Sequence, residues 1–227
     1  MISRWAEGLT SEEATGTGPL VGVVALQGAC LEHVRALRAC GARVRPVRRP
    51  SDLEGLVGLV IPGGESTVIG RLMGETGLLG PVKEAATGRT GGAGGLAILG
   101  TCAGLVLLAK EIAGEPSWIV PGSQPRLGLM DIQANRNAFG RQRESFEADL
   151  SVPALGEEPV RAVFIRAPFI EGAGEGVEKL AWFGDKLVLA RQGRFLACAF
   201  HPELTGDLRL HKWWLGLVET MSPNYER

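Results

Sequence analysis

The sequence lacks the long apolar run of a membrane-spanning helix, since none of its apolar stretches approaches the roughly 20 residues that cross a bilayer. Its first residues also lack the basic-then-apolar pattern of a signal peptide. We therefore expect a cytoplasmic protein with no membrane partner. The net charge is only −1, which gives no general attraction to nucleic acid or to anionic lipid. Small neutral or zwitterionic substrates remain open.

Cysteine and histidine are scarce, and neither forms a metal-binding motif. The three histidines form no HxxH or HExxH motif, and the four cysteines contain no CxxC pair; they are Cys30, Cys40, Cys102 and Cys198. These absences argue against a disulfide framework and against a zinc site. We expect no metal and no bound cofactor.

The chain has the composition of a globular domain, with 227 residues, 45% hydrophobic and 22% charged. Continuous apolar runs at 20–26 and 56–61 are typical of strands buried on both faces of a parallel sheet. The segments between such runs have apolar residues at helical spacing, and this alternation of strand and helix indicates right-handed βαβ units. We predict an α/β fold, a single domain with a mixed, largely parallel sheet flanked by helices. The domain is expected at 20–218, after a flexible leader at 1–19 and before a tail at 219–227.

Further elements follow from the same patterns. Strands are predicted at 43–47, 96–99, 128–132, 145–150, 160–165, 180–183, 186–191 and 195–200, with a tight hairpin turn at Gly184-Asp185. Helices are predicted from about 31 to 40, from Ser66, from 78 to 86, after Cys102, and from about 207 to 218. The glycine-rich stretch at 87–95 precedes a strand and lacks the Gly-Lys-Ser/Thr ending of a phosphate loop, so we expect a surface connection.

Cys102 stands between two apolar runs, in the pattern Gly-x-Cys-x-Gly. A strand, a sharp turn and a helix would place its sulfur at a corner resembling a nucleophile elbow. Small residues at 100, 103 and 104 let the strand and helix approach closely. The amino end of the helix favours a thiolate. A small buried hydrophobe is the alternative interpretation of Cys102.

His201 and Glu203 follow a predicted strand directly. Ligands of an open parallel sheet collect at the carboxyl ends of its strands, so His201 and Cys102 are candidates for one crevice. Histidine can take the thiol proton and later deliver it to a leaving amine, and Glu203 could hold the imidazole in one tautomer. The alternative is that His201-Pro202 only ends a strand.

A glycine pair, Gly63 and Gly64, follows the strand that ends at Ile61. Their main-chain N–H groups could form an oxyanion site together with the N–H of Ala103. The alternative is a turn whose glycines supply positive φ. Glu65 could bind a substrate ammonium group or cap the following helix, and the residues do not decide between these roles.

Three motifs together resemble the class I (triad) glutamine amidotransferases; they are residues 100–104 (GTCAG), 201–203 (HPE) and 62–67 (PGGEST). Within that class, three further stretches look like the glutaminase subunits of pyridoxal 5′-phosphate synthases; they are 26–28 (LQG), 32–33 (EH) and 136–142 (RNAFGRQ). The resemblance covers about Leu20 to Val218. It implies a flavodoxin-like class I amidotransferase fold.

The resemblance also implies an activity and a partner. The chain would hydrolyse L-glutamine to L-glutamate and ammonia, and the ammonia would pass to a separate (β/α)8 synthase subunit that builds pyridoxal 5′-phosphate. Such a glutaminase is expected to be weakly active in isolation, because a flexible glycine turn needs a partner to order it.

Site roles carry over by matching position. Cys102 would be the nucleophile, His201 the base and Glu203 its orienting partner. The remaining matches are the glutamine-site residues Gly63, Gly64, Glu65, Arg136, Ile165 and Arg166, with Gly63 or Gly64 and Ala103 as oxyanion donors. An arginine fork suits the substrate carboxylate, but the sequence does not decide between Arg136 and Arg166. His33, on the first helix, is expected to be structural or part of an interface.

Two other functions remain open from the sequence. One is a glutaminase that serves a different synthase, such as the one making imidazole glycerol phosphate. The other is a catalytically silent subunit whose crevice only mediates assembly, although the intact Cys, His and Glu set argues against it.

Overall fold

The computed structural model describes residues 17–88, 95–114, 123–136 and 145–221. Within these ranges the chain forms twelve strands and five α-helices. The strands are β1 (Leu20–Val24), β2 (Arg43–Val47), β3 (Gly58–Ile61), β4 (Ala97–Thr101), β5 (Ala109–Ala113), β6 (Met130–Asn135), β7 (Ser145–Leu150), β8 (Val160–Ile165), β9 (Phe169–Ala173), β10 (Glu178–Phe183), β11 (Lys186–Gln192) and β12 (Phe195–Cys198). The helices are α1 (Cys30–Ala39), α2 (Ser66–Glu75), α3 (Leu79–Ala86), α4 (Ala103–Leu108) and α5 (Arg209–Met221). No helix in this part of the chain is long and apolar enough to cross a membrane.

Five neighbouring strands form the parallel half of the main sheet, in the order β2-β1-β3-β4-β12. This order is that of flavodoxin-like folds. Val23, Val60 and Leu99 are fully buried at its centre, as expected for strands covered on both faces. Because the strands are parallel, the segments that follow β3, β4 and β12 meet along one edge of the sheet.

The other half of the sheet is mostly antiparallel. β11 pairs with β12, and the sheet continues through β9 and β6 to β5, while β7 and β8 form a separate two-stranded sheet. The predicted hairpin is confirmed, since Phe183 pairs with Lys186 across Gly184 and Asp185. Gly184 has a φ of 60°, which suits a two-residue hairpin loop. The predicted α/β fold with a mixed sheet is confirmed.

The structure differs from the predicted elements at several places, including the bounds of β6 (predicted 128–132) and the end of β12 (predicted at 200). The helix after Cys102 ends at Leu108, and Ala109–Ala113 forms β5 beside β6. β9 was not predicted, because Ile170 is its only buried residue and it has no apolar run. Helix α5 ends at Met221, three residues beyond the predicted end at Val218.

Parts of three predicted segments lie outside the described residues. They are residues 1–16 of the expected leader, 89–94 of the glycine-rich connection and 222–227 of the expected tail.

Two glycines let β4 and α4 pack tightly against their neighbours, as predicted. A β-carbon at Gly100 would lie 2.5 Å from the carbonyl oxygen of Gly104. A β-carbon at Gly104 would collide with the carbonyl oxygen of Ile61 at the end of β3. The close approach brings the start of α4 beside the end of β3, where Pro62 and then the glycine pair follow.

Candidate active site

Cys102 occupies a strained corner between β4 and α4. Its φ of 47° and ψ of −101° are rare for a residue with a side chain. Its N–H donates to the carbonyl of Cys198 at the end of β12 (2.8 Å), and its sulfur lies 3.9 Å from the carbonyl oxygen of Ile165. This is the geometry of a nucleophile elbow, in which backbone strain presents the side chain at the edge of the sheet.

His201 lies next to this corner because β12 is the neighbour of β4, with Cys198 in register with Thr101. The Nδ1 atom of His201 is 2.7 Å from Oε1 of Glu203, and both residues are buried. Burial lowers the pKa of His201, but hydrogen bonds with Cys102 and Glu203 outweigh it and raise the pKa to about 10. The structure thus brings together the three residues that the sequence pattern proposed as a triad.

The backbone of Gly63 passes directly over this group. A β-carbon there would collide with Cε1 of His201 and would lie 3.3 Å from Cβ of Cys102. The carbonyl of Gly63 accepts a hydrogen bond from the N–H of Ala29 (3.0 Å), and the N–H of Glu65 donates to Oε1 of Gln27 (2.9 Å). Glycine is needed at position 63 for this close approach, and hydrogen bonds from the segment after β1 hold the turn.

A methyl group at position 63 provides a test of this packing. We expect Gly63→Ala to push the imidazole of His201 away from Cys102 and to lower about 10²-fold the turnover of glutamine that the sequence resemblance implies, as a displacement of about 1 Å in a reacting group can do. Gly80→Ala is the matched control, because a β-carbon at Gly80 meets no atom within 4 Å. Steady-state kinetics of both variants make the comparison, and equal turnover would contradict the role of the close approach.

Glu65 is the N-cap of α2 and also contacts a predicted site residue. Its Oε1 accepts hydrogen bonds from the backbone N–H (3.5 Å) and the hydroxyl (3.0 Å) of Thr67 and forms an ion pair with Nη2 of Arg136 (2.7 Å). Nη1 of Arg136 donates to Oε1 of Gln124 (3.0 Å). The capping role of Glu65 is therefore observed, and the carboxylate remains half-exposed. Residues 137–142 of the motif that begins at Arg136 lie outside the described residues.

Ile165 and Arg166 border the site from β8. The carbonyl of Ile165 faces the sulfur of Cys102, and Arg166 is exposed, with a φ of 42°. Positive φ at a residue with a side chain is a form of strain that is concentrated at functional sites. Arg136 contacts a different segment: its ion pair is with Glu65, the residue that follows the glycine pair.

Three buried residues at this site were not predicted as site residues. His33 on α1 lies 3.3 Å from Oε2 of Glu203 and 3.0 Å from the hydroxyl of Thr101, and its other ring nitrogen lies 3.1 Å from Nε2 of His211 on α5. All are fully buried or nearly so. The sequence contains one indication of these site residues: His33, Thr101 and His211 are polar residues at positions where an apolar, buried face is expected. In the part of the chain that the structure describes, no group of His, Cys, Asp and Glu side chains is arranged to hold a metal ion.

Comparison with known proteins identifies relatives over most of the chain. A family model described as the SNO glutamine amidotransferase family matches residues 23–220. A pyridoxal 5′-phosphate synthase subunit PdxT from Pelotomaculum thermopropionicum is 62% identical over 195 residues, covering 86% of this chain and 93% of the relative. A subunit of the same name from Moorella thermoacetica is 54% identical over 198 residues, covering 87% of this chain and 98% of the relative. A solved structure described as a glutamine amidotransferase superposes with a TM-score of 0.78 at 50% identity, covering 88% of this chain and 98% of that one.

Proposed function

Since the chain belongs to the SNO glutamine amidotransferase family, we propose that Cys102, His201 and Glu203 are the groups with which it hydrolyses the side-chain amide of L-glutamine. The chain is a glutaminase, the ammonia-supplying subunit of a pyridoxal 5′-phosphate synthase. The observation that carries the assignment of roles is the position of His201, hydrogen-bonded to Glu203 and placed beside the strained corner at Cys102.

The reaction has two halves. In the first, His201 takes the proton from the sulfur of Cys102, and the sulfur attacks the amide carbon of glutamine. The N–H groups of Gly64 and Ala103 stabilise the resulting oxyanion; Ala103 is the first residue of α4, so its N–H has no partner within the helix. His201 returns the proton to the leaving nitrogen, the C–N bond breaks, and ammonia departs from a γ-glutamyl thioester.

The second half releases the product. His201 accepts a proton from a water molecule that attacks the thioester carbon, and the oxyanion forms again in the same place. When the C–S bond breaks, the proton passes to the sulfur and L-glutamate leaves. Throughout, Glu203 accepts the hydrogen bond from Nδ1 of His201, which leaves Nε2 free to face the sulfur.

The substrate's amino-acid group is proposed to bind at Glu65 and Arg136. Glutamine is a zwitterion, so its ammonium group suits the Glu65 carboxylate and its carboxylate suits an arginine fork. In the structure these two side chains form an ion pair with each other, 2.7 Å apart. Bound glutamine replaces this ion pair with two new ones, between its ammonium group and Glu65 and between its carboxylate and Arg136. Gly63, Ile165 and Arg166 border the amide end of the substrate.

The ammonia is proposed to pass to a (β/α)8 synthase subunit in the same cytoplasmic complex, with no nucleic acid or membrane involved. The glutaminase unit is proposed to span residues 20–218. Hydrogen bonds from Gln27 and Ala29 connect the glycine turn to the segment after β1, and we propose that the synthase acts on the turn by binding to this segment.

Ammonia release from L-glutamine, measured with and without the cognate synthase subunit, tests this function. We expect the synthase to increase turnover on the order of 10²-fold, the value of one correctly placed oxyanion donor. Equal turnover with and without the synthase would contradict partner-dependent assembly of the site. Absence of glutamate production in both conditions would contradict the glutaminase function itself.

A further inference from the structure

All three histidines of the chain belong to one buried network. His201 contacts Oε1 of Glu203 at 2.7 Å, and Oε2 of the same carboxylate lies 3.3 Å from Nε2 of His33. Nδ1 of His33 lies 3.1 Å from Nε2 of His211. We call these four residues the histidine network. It connects α1 and α5 to the side chain that orients the proposed base.

Both outer histidines are neutral. Burial lowers the pKa of His33, and the nearby carboxylate of Glu203 only partly offsets this. Burial and the neighbouring His33 lower the pKa of His211 to about 3, against small opposing effects of Glu203 and Asp207. Each outer ring therefore carries one N–H donor and one acceptor nitrogen.

The positions of the protons follow from counting donors. If Nδ1 of His33 carried the proton, the lone pair of Nε2 would face the Glu203 carboxylate and repel it. The alternative tautomer has no such conflict: His211 donates from Nε2 to Nδ1 of His33, and Nε2–H of His33 donates to the hydroxyl of Thr101 (3.0 Å) while its positive end lies 3.3 Å from Oε2 of Glu203. Oε2 of Glu203 is buried and has no conventional hydrogen-bond partner among the described residues, and the N–H of His33 faces it at 3.3 Å.

We infer that His33 is a positioning residue for glutamine hydrolysis, which acts by holding the second oxygen of Glu203 so that the first stays on Nδ1 of His201. The inference rests on the proposed function of the Cys102, His201 and Glu203 group. His33 also contacts Thr101, the residue before Cys102, so one side chain links the strand that carries the nucleophile to the segment that carries the base.

The test uses three variants in complex with the synthase subunit. His33→Leu removes both ring nitrogens, His33→Gln keeps an amide N–H that can reach the place of Nε2, and Leu37→Ala opens a cavity one turn further along the same buried face of α1. We expect His33→Leu to lower kcat about 10- to 100-fold, as loss of an orienting partner does for metal-bound histidines. KM for glutamine should be unchanged, because the proposed contacts to the substrate are intact.

The other two variants separate positioning from stability. His33→Gln should recover most of the lost kcat, and Leu37→Ala should lower the melting temperature while leaving kcat near the wild-type value. Equal losses of kcat in His33→Leu and Leu37→Ala would overturn the inference, as would wild-type kcat in His33→Leu. Failure of the wild-type complex to release ammonia would instead contradict the proposed function.

Nitrogen NMR of the imidazoles gives a readout that a purely structural role would not move. Three histidines give three sets of ring signals. We expect those of His33 and His211 to remain those of neutral rings between about pH 5 and 8, the range in which an ordinary histidine titrates. In His33→Leu the proton of His201 should be lost at a lower pH than in the wild type, because Glu203 is held less firmly. An unchanged titration of His201 in that variant would contradict the inference.

Discussion

Replacing Cys102 with alanine is expected to abolish ammonia release from glutamine in the assembled complex. The sulfur is the only atom of this side chain that can form the thioester, and alanine leaves His201 with no thiol to activate at this position. Loss of a nucleophile that acts as one unit with its base costs at least about 10⁴-fold in kcat. The measurement is glutamate production over hours, with the spontaneous hydrolysis of glutamine subtracted.

Cys40→Ala is the matched control for this variant, because Cys40 is also a free cysteine but lies beyond the end of α1, only half-buried. It should retain wild-type turnover. An electrophilic glutamine analogue should add its mass to the wild type and to Cys40→Ala, but not to Cys102→Ala. Ammonia release by Cys102→Ala within tenfold of the wild type would refute the thioester mechanism.

Glu203→Gln is expected to produce the second-largest loss, on the order of 10³- to 10⁴-fold in kcat, as the equivalent change does in a Ser-His-Asp triad. The amide keeps the size of the carboxylate but removes its charge. Burial raises the pKa of Glu203, but His33 and His201 more than offset this and lower it, so the native group is an anion at neutral pH. Without that anion the imidazolium of His201 is no longer stabilised, and its pKa falls.

Glu203→Gln should fold normally, because the oxygen and the nitrogen of the new side-chain amide can each find a hydrogen-bond partner in the rings of His201 and His33. Asp207→Asn serves as the comparison: it removes an ion pair with Arg209 (2.7 Å) only four residues along the chain. Its kcat should stay at the wild-type value. If Glu203→Gln retained more than a tenth of wild-type kcat at neutral pH, Glu203 would not be the orienting partner.

Much of the fold could be predicted from the sequence because its signals are local. The apolar runs of β1 and β3 and the two-residue turn at Gly184 each depend on residues close together in the chain. β5 could not be predicted, since its five residues, AKEIA, include two charged residues and lack the alternating or continuous apolar pattern of a strand. This segment forms a strand because it pairs with β6, which lies in a later part of the sequence.

The proposed triad could be predicted for a related reason. Cys102 and His201 each follow a strand directly, and the parallel order of β4 and β12 brings such positions together. His33 could not be assigned in the same way, because its partners come from three other segments and its helix position alone suggests packing. The capping role of Glu65 and its pair with Arg136 likewise depend on a contact between distant segments.

Because β12 lies beside β4 in the sheet but far from it in sequence, the residues of the site are synthesised at different times. Cys102 leaves the ribosome with β4, whereas His201 follows only after β5 to β11 have been made. The nascent chain therefore carries its thiol without the base that would activate it. Reactivity therefore requires β12, the strand that joins the parallel part of the sheet to the antiparallel part, to be in place beside β4.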